Sequence, residues 1–322
     1  MIGIKPDLVG NVEVFLITVI DKPQKINCLV TVQSFLGNKY DGILHSKRTL
    51  RVSDKVLDLS VPAVMGIINI TPDSFYSGSR HQSVKSAEEQ AEQMLSFGAD
   101  ILDIGGYSSR PGADEVSESE EIDRVQPVIE HLSKAFPEAI FSVDTFRSGV
   151  AEAAMRAGAH MINDISGGQL DEAMYDTVAR WQCPYFLMHM KGTPQTMMNQ
   201  TGYDDLLKEM ISYFAERIVL LREKGVHDII IDPGFGFSKN LRQSYYILRR
   251  LSALKVLGLP ILSGISRKSM IYKKLGINSH EALNGTTVLN TISLIEGASI
   301  LRVHDVKEAV EAVALYKETY CD

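Results

Sequence analysis

Cysteine is scarce in this chain of 322 residues, and the cysteines that are present form no pattern. Cys28, Cys183 and Cys321 are far apart, odd in number and without a CxxC pair. Disulfide-stapled folds and structural zinc sites need paired or closely spaced cysteines, so the sequence argues against both classes. This cysteine usage is typical of a reducing compartment, and we expect a cytoplasmic protein.

Long apolar runs and basic runs are also missing. The run from Val12 to Ile20 is too short to cross a bilayer and contains Glu13, so no membrane partner is expected. The net charge is -7 and the lysines and arginines form no stripe, so no nucleic-acid partner is expected. With 45% hydrophobic and 23% charged residues, the composition is that of an ordinary globular domain.

The pattern that is present is an alternation of strand and helix, repeated eight times from residue 63 onward. Each short apolar run ends in polar or glycine residues and is followed by an amphipathic stretch. Runs that are apolar almost throughout are typical of parallel strands buried on both faces. The eight predicted strands cover residues 63–70, 101–106, 140–145, 161–166, 184–190, 228–234, 260–266 and 300–305.

Helical spacing appears between these runs, for example at Ile122, Val125, Ile129 and Leu132. Eight strand–helix units predict an α/β fold of the (β/α)8 TIM-barrel class over residues 47–322. An open doubly wound sheet is the alternative, but no glycine-rich dinucleotide fingerprint follows the first strand. Glycines that would end the helices in a left-handed turn precede five of the strands, at Gly98, Gly158, Gly225, Gly258 and Gly297.

Residues 1–46 lie outside the barrel pattern and form an N-terminal extension of unknown role. Within this extension, residues 12–20 and 28–36 could be strands and could pair as a β-hairpin. After it, the alternating segment from Thr49 to Leu59 predicts an N-terminal β-hairpin that closes the lower mouth of the barrel.

Polar side chains gather where the predicted strands end, which is where a TIM barrel builds its active site. Because loops are polar in most proteins, each of these residues alone could be structural. Their presence at all eight strand ends predicts one ring of converging groups. In chain order the ring contains Asn69, Asp73, Ser109, Arg110, Asp144, Asn163, Asp164, His189, Asp232, Ser266, Arg267, Lys268, Arg302 and His304.

Part of the ring suits a flat, N–H-rich heterocycle. The carboxylates of Asp144 and Asp232 can each accept two parallel N–H bonds, and Asn163 can donate and accept together. The sequence also contains Gly234–Lys239, which resembles a glycine-rich phosphate loop but lacks the Walker spacing, so it is a weak signal.

A second part of the ring suits anions. Arg110, Arg302 and His304 could clamp phosphate oxygens, and arginine does this with two parallel hydrogen bonds. Ser269 opens the helix after the seventh strand, where free N–H groups and a partial positive charge can hold a carboxylate.

These motifs, in this order, resemble the dihydropteroate synthase family over about residues 49–320. The first two signatures are MGIINITPDSF at 65–75 and GGYSSRPG at 105–112. The others are SVDT at 142–145, INDI at 162–165, LMHM at 187–190, DPGFGF at 232–237, SRKS at 266–269 and RVHD at 302–305. The resemblance implies a homodimeric transferase of folate biosynthesis that condenses a dihydropterin methyl diphosphate with p-aminobenzoate.

The resemblance also implies roles for the matching positions. Residues expected to bind the pterin diphosphate are Asn69, Ser109, Arg110, Asp144, Asn163, Met188, Asp232, Lys268, Arg302 and His304. Residues expected to frame the p-aminobenzoate are Pro111, Phe237, Lys268 and Ser269. Catalysis would fall to Arg110, Lys268, Arg302 and His304, and the implied cofactor Mg²⁺ would lie near Asn69.

The sequence leaves two questions open, namely whether the protein is an active synthase and what role four of its methionines have. The second motif usually reads ESTRPG in this family, and here Tyr107 replaces the glutamate, so whatever that glutamate orients is in doubt. An inactive pterin-binding paralogue is therefore one alternative. A methyltetrahydrofolate-binding methyltransferase barrel is another, although it would need no diphosphate clamp. Finally, four methionines could line the pocket or only fill the core, namely Met188, Met190, Met197 and Met198.

Overall fold

The chain divides into two compact units, Met1–Ser46 and Lys47–Asp322. The computed structural model describes residues 3–8, 13–20, 25–31, 47–70, 80–108 and 116–320. The first unit contains a three-stranded antiparallel sheet, in the order β1 (Gly3–Leu8), β2 (Glu13–Ile20) and β3 (Lys25–Thr31). The hairpin predicted from residues 12–20 and 28–36 corresponds to β2 and β3, whereas β1 has no counterpart in the prediction. Residues 32–36 of the second predicted strand lie outside the described residues.

The second unit opens with the predicted hairpin and continues as a barrel. The hairpin strands are β4 (Thr49–Val52) and β5 (Lys55–Asp58), and the barrel strands are β6 (Ala63–Asn69), β7 (Ile101–Gly105), β8 (Ile140–Asp144), β9 (Met161–Asp164), β10 (Tyr185–Met188), β11 (Ile229–Asp232), β12 (Leu262–Ser263) and β13 (Ile300–Val303). The eight barrel strands are parallel and form one sheet in the order β11–β10–β9–β8–β7–β6–β13–β12. A parallel bridge between Ile231 and Ile261 joins the two edge strands and closes the sheet.

Helices follow each barrel strand, so the predicted TIM barrel is confirmed. Each of the strands β6–β11 and β13 is followed by one α-helix, and β12 is followed by two. The helices are α1 (Arg80–Ser96), α2 (Glu118–Ala135), α3 (Ser148–Ala157), α4 (Met174–Trp181), α5 (Leu206–Glu223), α6 (Leu241–Leu248), α7 (Ser269–Leu275), α8 (Leu283–Ile295) and α9 (Val306–Tyr320). Short 3-10 helices cover Met197–Asn199, Leu251–Leu257 and Ser279–Glu281.

Local sequence signals account for where these helices begin, pack and end. Ser117 caps α2, because its hydroxyl accepts the Glu120 N–H at 3.3 Å. Val125, Ile129 and Leu132, three members of the predicted helical stripe, are fully buried on that helix. All five glycines predicted to end helices have left-handed φ values, between 66° and 112°.

Strand alternation decides which side chains enter the barrel, because every second residue faces inward. The lowest interior layer is apolar, and Leu50 and Val52 of the hairpin pack beneath it, which confirms the predicted closure. Burying each such side chain stabilises the fold by about 1.5–3 kcal/mol. Two residues further along four of these strands, the apolar Ile101, Met161, Ile230 and Ile300 give way to Asp103, Asn163, Asp232 and Arg302.

Candidate functional site

An arginine held between two carboxylates forms the centre of the polar layer. Arg302 Nε donates to Asp103 Oδ2 at 2.6 Å, and its Nη2 donates to Asp144 Oδ2 at 2.6 Å. Burial works against the charge of Arg302, but attraction to Asp103 and Asp144 outweighs it and raises the arginine pKa. Arg302 is therefore a fixed cation at the floor of the barrel mouth.

Asp103 is a site residue that the sequence reasoning missed. It lies within the apolar run of β7, is fully buried, and accepts hydrogen bonds from both Arg302 and the Asn163 amide. A carboxylate in a strand that is otherwise apolar is the signal that could have revealed it, because buried charges are almost always paired. Asp103 holds the arginine and the amide at a fixed separation.

Asp144 and Asn69 lie at the upper edge of this layer. Burial raises the pKa of Asp144 to about 7, with Arg302 acting to lower it and Asp103 to raise it further. Gly105 lies beside both residues: a Cβ there would be 3.7 Å from Asp144 Oδ2 and 3.8 Å from Asn69 Oδ1. Two oxygen atoms therefore border the same small space.

Asn163 and Asp232 continue the acceptor-rich wall. Asn163 is 4% exposed, and its Nδ2 donates to Asp103 Oδ2 at 2.9 Å, which orients the amide oxygen. Asp232 is 6% exposed, and its Oδ1 accepts the Gly234 N–H at 2.7 Å. Burial raises the pKa of Asp232, while the nearby Lys268 ammonium opposes that shift. The structure thus brings together the three residues predicted to suit a flat, N–H-rich ring.

Lys268 is placed between the acceptor wall and an aromatic face. Its Nζ donates to Phe235 O at 2.6 Å and lies 4.7 Å from the centre of the Phe237 ring. Burial lowers the pKa of Lys268 to about 8, although attraction to Asp232 opposes the shift. The next residue, Ser269, begins α7, as predicted. Phe237 and Lys268 therefore lie close together, and Ser269 follows Lys268 at the start of α7.

His304 is positioned by a hydroxyl group. Ser266 Oγ lies 3.0 Å from His304 Nδ1 and accepts the His304 backbone N–H at 3.1 Å. Of the remaining predicted site residues, Ser109, Arg110 and Pro111 lie outside the described residues, as do positions 71–75 of the first motif.

The segment Gly234–Lys239 is a tight turn around a buried lysine. Gly234 has a φ of 67°, and a Cβ there would lie 2.3 Å from the carbonyl oxygen of His189, so only glycine fits. Lys239 Nζ donates to the carbonyl oxygens of His189 and Phe237 at 3.1 and 2.9 Å, and the lysine is 2% exposed. This lysine supports the turn from within and is not placed to reach a phosphate.

Three other members of the predicted ring make structural contacts. Asp164 accepts the N–H groups of Ser166 and Gly168 and the Tyr185 hydroxyl. Burial, together with the nearby Lys239, lowers the pKa of His189 to about 2, so the imidazole of His189 stays neutral. The third residue, Arg267, forms an ion pair with Asp305. The prediction that all these side chains converge on one site is therefore wrong for these three residues.

Three of the four methionines are buried, and the fourth is exposed. Met188, Met190 and Met197 are buried in one cluster with Ile165, and Phe237 packs against it. Met198 is 45% exposed and is not part of this cluster. Met188 ends β10 directly opposite Asp232 in register, so its side chain lies on the same face of the sheet as that of Asp232.

Tyr107 is tied to two other loops. Its hydroxyl accepts a hydrogen bond from Gln195 Nε2 at 3.2 Å, and its ring meets Phe146 edge to face, with 5.2 Å between centres. The Arg147 guanidinium lies 5.4 Å from the Tyr107 ring and pairs with the buried carboxylate of Glu121. Glu121 thus supplies a carboxylate in this neighbourhood although Tyr107 does not.

If the pterin that the sequence predicts binds here, the affinity for a simple pterin without a diphosphate should fall as the pH rises through about 8, because Lys268 then loses its charge. A lysine with a lowered pKa carries its ammonium only below that value. Calorimetric titration on both sides of this pH measures the effect. Lys268→Arg is the control, since arginine stays charged at all these pH values and the ligand's own ionisation is common to both proteins. Equal pH profiles for the two proteins would remove Lys268 from the binding groups.

Similarity to known proteins agrees with this geometry. The family described as Pterin binding enzyme matches residues 65–304. The Escherichia coli dihydropteroate synthase is 44% identical over 265 residues, which cover 82% of this chain and 93% of that protein. The Yersinia pestis dihydropteroate synthase, solved as a sulfonamide drug complex, has a TM-score of 0.80 at 43% identity and covers 85% of this chain and 100% of that one. The Thermus thermophilus enzyme, solved with 4-aminobenzoate, has a TM-score of 0.77 at 36% identity, with the same two coverages.

Proposed function

Because the chain belongs to the pterin-binding enzymes and, among them, to the dihydropteroate synthases, we propose that its barrel mouth joins a dihydropterin methyl diphosphate to p-aminobenzoate. The observation that carries the proposal is the polar layer in which Asp144, Asn163 and Asp232 surround Arg302 at the C-terminal ends of the strands. An aminopyrimidinone edge presents N–H groups that match these acceptors.

The pterin would lie flat against this layer. Asp232 and Asp144 would accept its N–H groups, Asn163 would bind a second edge of the ring, and Met188 would form the apolar side. Lys268 would donate to the ring carbonyl, since its Nζ already lies close to Asp232 and donates to a carbonyl oxygen. Arg302 would lie beside the ring, with its Nη1 taking no part in either ion pair.

The reaction exchanges one bond for another at the methylene carbon of the pterin. The carbon–oxygen bond to diphosphate breaks, the arylamine nitrogen forms the new bond, and that nitrogen then loses a proton. An arylamine is already an adequate nucleophile, so charge on the leaving group is the larger barrier. Arg302 and His304, with Arg110, would stabilise that charge, which is electrostatic catalysis.

Magnesium is proposed as the accompanying ion, held by Asn69. An amide oxygen suits this hard cation, and the Asn69 and Asp144 oxygens border the space beside Gly105. Among the residues that the structure describes, no three acidic, histidine or cysteine side chains form a metal site. Magnesium is commonly bound by one or two protein oxygens together with substrate phosphates, so the substrate diphosphate would complete its coordination and share its charge.

Removing the metal should therefore stop turnover without emptying the pterin pocket. We expect EDTA to abolish diphosphate release, and Mg²⁺ to restore it. Calorimetry should show that Mg²⁺ binds together with diphosphate and only weakly alone, since each neutralises charge that the other leaves exposed. Turnover at the full rate in EDTA would exclude the metal.

The carboxylate of p-aminobenzoate would lie at the start of α7. Ser269 opens this helix, and the N–H groups at the helix N-terminus and the Ser269 hydroxyl can donate hydrogen bonds to an anion. The ring would pack on Phe237 near Lys268, with Pro111 on the opposite side. A product whose mass equals both substrates minus diphosphate tests the proposed function. A methyltransferase barrel or an inactive pterin-binding paralogue would give no such product.

A homodimer is proposed from the family and from an apolar face on the last helices. Val288 and Ile295 on α8 are 50% and 49% exposed and are seven residues apart, so they lie on one side of the helix. Leu275, at the end of the neighbouring α7, is 56% exposed. Large apolar side chains grouped in this way are typical of a protein interface. Light scattering at twice the chain mass is the expected result.

A cytoplasmic location completes the proposal. Cys183 is a free, buried thiol, and burial raises its pKa to about 12, so it stays protonated and unreactive. Among the described residues, no helix is both long and apolar enough to span a bilayer. The free thiol agrees with a reducing compartment, and fractionation of cells that express the protein would test the location.

A further inference from the structure

Two charged residues that the reaction itself does not use hold the strand ends that carry Lys268 and His304. We propose that the ion pair between Arg267 and Asp305 is a positioning device, which sets the distance between the lysine on the pterin side and the histidine on the diphosphate side. The inference rests on the proposed function, because it assigns these two residues to the same reaction.

The pair has the geometry of a rigid connection. Arg267 Nε donates to Asp305 Oδ2 at 2.9 Å, and Nη2 donates to Oδ1 at 2.6 Å, so both edges of the fork are occupied. The third nitrogen, Nη1, donates to the carbonyl oxygen of His280 at 3.1 Å. Two parallel charge-assisted hydrogen bonds fix orientation as well as distance. A lysine at position 267 could keep the charge but not this geometry.

Each partner is a direct chain neighbour of groups in the site. Arg267 stands between Ser266 and Lys268, and Asp305 follows His304. Ser266 in turn makes two hydrogen bonds to His304, at 3.0 and 3.1 Å. The loop after β12 and the loop after β13 are thus joined twice. The Ser266–His304 connection consists of hydrogen bonds and lies at the site. The Arg267–Asp305 connection is an ion pair and lies just outside the site.

The backbone of Arg267 also points to a functional constraint. Its φ is 55°, in the left-handed region that non-glycine residues rarely adopt. The Arg267 N–H donates to Thr286 Oγ1 of α8 at 3.0 Å, which helps to hold this conformation. Strained residues of this kind persist only where their surroundings fix them, and they cluster at active sites. The turn at Arg267 lets Ser266 reach one side and Lys268 the other.

A second ion pair offers a matched control at the far end of the barrel. Lys47 and Asp228 also lie 2.6 Å apart, and their side chains are 31% and 13% exposed, against 27% and 15% for Arg267 and Asp305. Asp228 precedes β11 and is therefore at the N-terminal end of the barrel strands, away from the mouth. If ion pairs of this exposure serve only stability, both pairs should respond to substitution alike.

The experiment compares Asp305→Asn, Arg267→Lys and Asp228→Asn with the wild type. For the first two variants we expect kcat to fall about tenfold or more, since a small misplacement of catalytic groups slows a reaction strongly. Affinity for a simple pterin should fall by less than kcat does, because only Lys268 among the pterin-binding residues is displaced while Asp144, Asn163 and Asp232 keep their positions. Asp228→Asn should keep wild-type kcat. The double variant Arg267→Lys with Asp305→Asn should be no slower than the slower single variant, because one unit is lost only once.

The outcomes separate this role from the proposed function. If the wild type turns over and Asp305→Asn and Arg267→Lys match its kcat, the positioning role is wrong while the proposed function stands. The role is equally wrong if both variants lose kcat only in proportion to folded protein, as shown by their melting curves. If the wild type itself releases no diphosphate, the proposed function fails, and the positioning role fails with it.

Discussion

Replacing Arg302 with methionine should lower the free energy of unfolding by about 3–5 kcal/mol at neutral pH. The arginine side chain is 19% exposed and pairs at 2.6 Å with Asp103, which is fully buried, and with Asp144. Methionine has a similar length but leaves both carboxylates without that cation. Denaturant unfolding followed by circular dichroism measures the loss, and pterin binding should disappear with it.

The pH dependence of this loss provides an internal check. Burial already raises the pKa of Asp144 to about 7 with Arg302 present, and removing the cation would raise it further. A carboxyl whose pKa is higher in the folded state than the unfolded value of about 4 destabilises the fold as the pH rises through that window. The deficit of Arg302→Met should therefore shrink as the solution is acidified.

Arg156→Met is the matched control for this variant. Arg156 pairs with Glu152 on the surface, and its side chain is 71% exposed, so its loss should cost less than about 1 kcal/mol. Equal stability of Arg302→Met and the wild type would show that Asp103 and Asp144 do not need the arginine.

His304→Ala should lower kcat by about a hundredfold or more, as is typical when one donor to a developing anion is lost. Ser266 fixes the imidazole through Nδ1 at 3.0 Å, which orients the ring at the end of β13. If His304 stabilises the departing diphosphate, its effect is largest in the transition state, so affinity for a simple pterin should change little. Steady-state kinetics and calorimetry measure the two quantities separately.

His304→Gln distinguishes donation from bulk. A glutamine can donate a hydrogen bond from nearly the position of the imidazole Nε2, so it should recover part of the lost rate. If alanine and glutamine were equally slow with unchanged pterin affinity, the rate would depend on the ring itself, and simple donation to the leaving group would be the wrong role. Wild-type kcat in the alanine variant would remove His304 from catalysis.

The barrel could be predicted because its signals are local and repeated. Apolar runs of strand length, helical stripes and closing glycines recur around the chain, and each depends only on neighbouring residues. The hairpin beneath the barrel followed from simple alternation as well. The strand after residue 260 is the exception: only Leu262 and Ser263 pair as β12, because much of its predicted length runs on into the loop toward α7.

The site was harder to predict, because contacts within it join distant segments. Arg302 and Asp103 are 199 residues apart in sequence, and no local pattern shows that one neutralises the other. Strand ends gave the correct layer for Asp144, Asn163 and Asp232. They could not separate these residues from Asp164 and His189, whose side chains make structural contacts.

Release of diphosphate by the wild-type protein is the direct test of the proposed synthase activity. With Mg²⁺ and the dihydropterin methyl diphosphate present, we expect release to depend on added p-aminobenzoate, with one diphosphate freed for each dihydropteroate formed. Tyr107 would then be compatible with catalysis, with its hydroxyl held by Gln195. If the folded protein binds pterin but releases no diphosphate with both substrates present, the proposed synthase activity is wrong, and an inactive pterin-binding paralogue explains Tyr107 better.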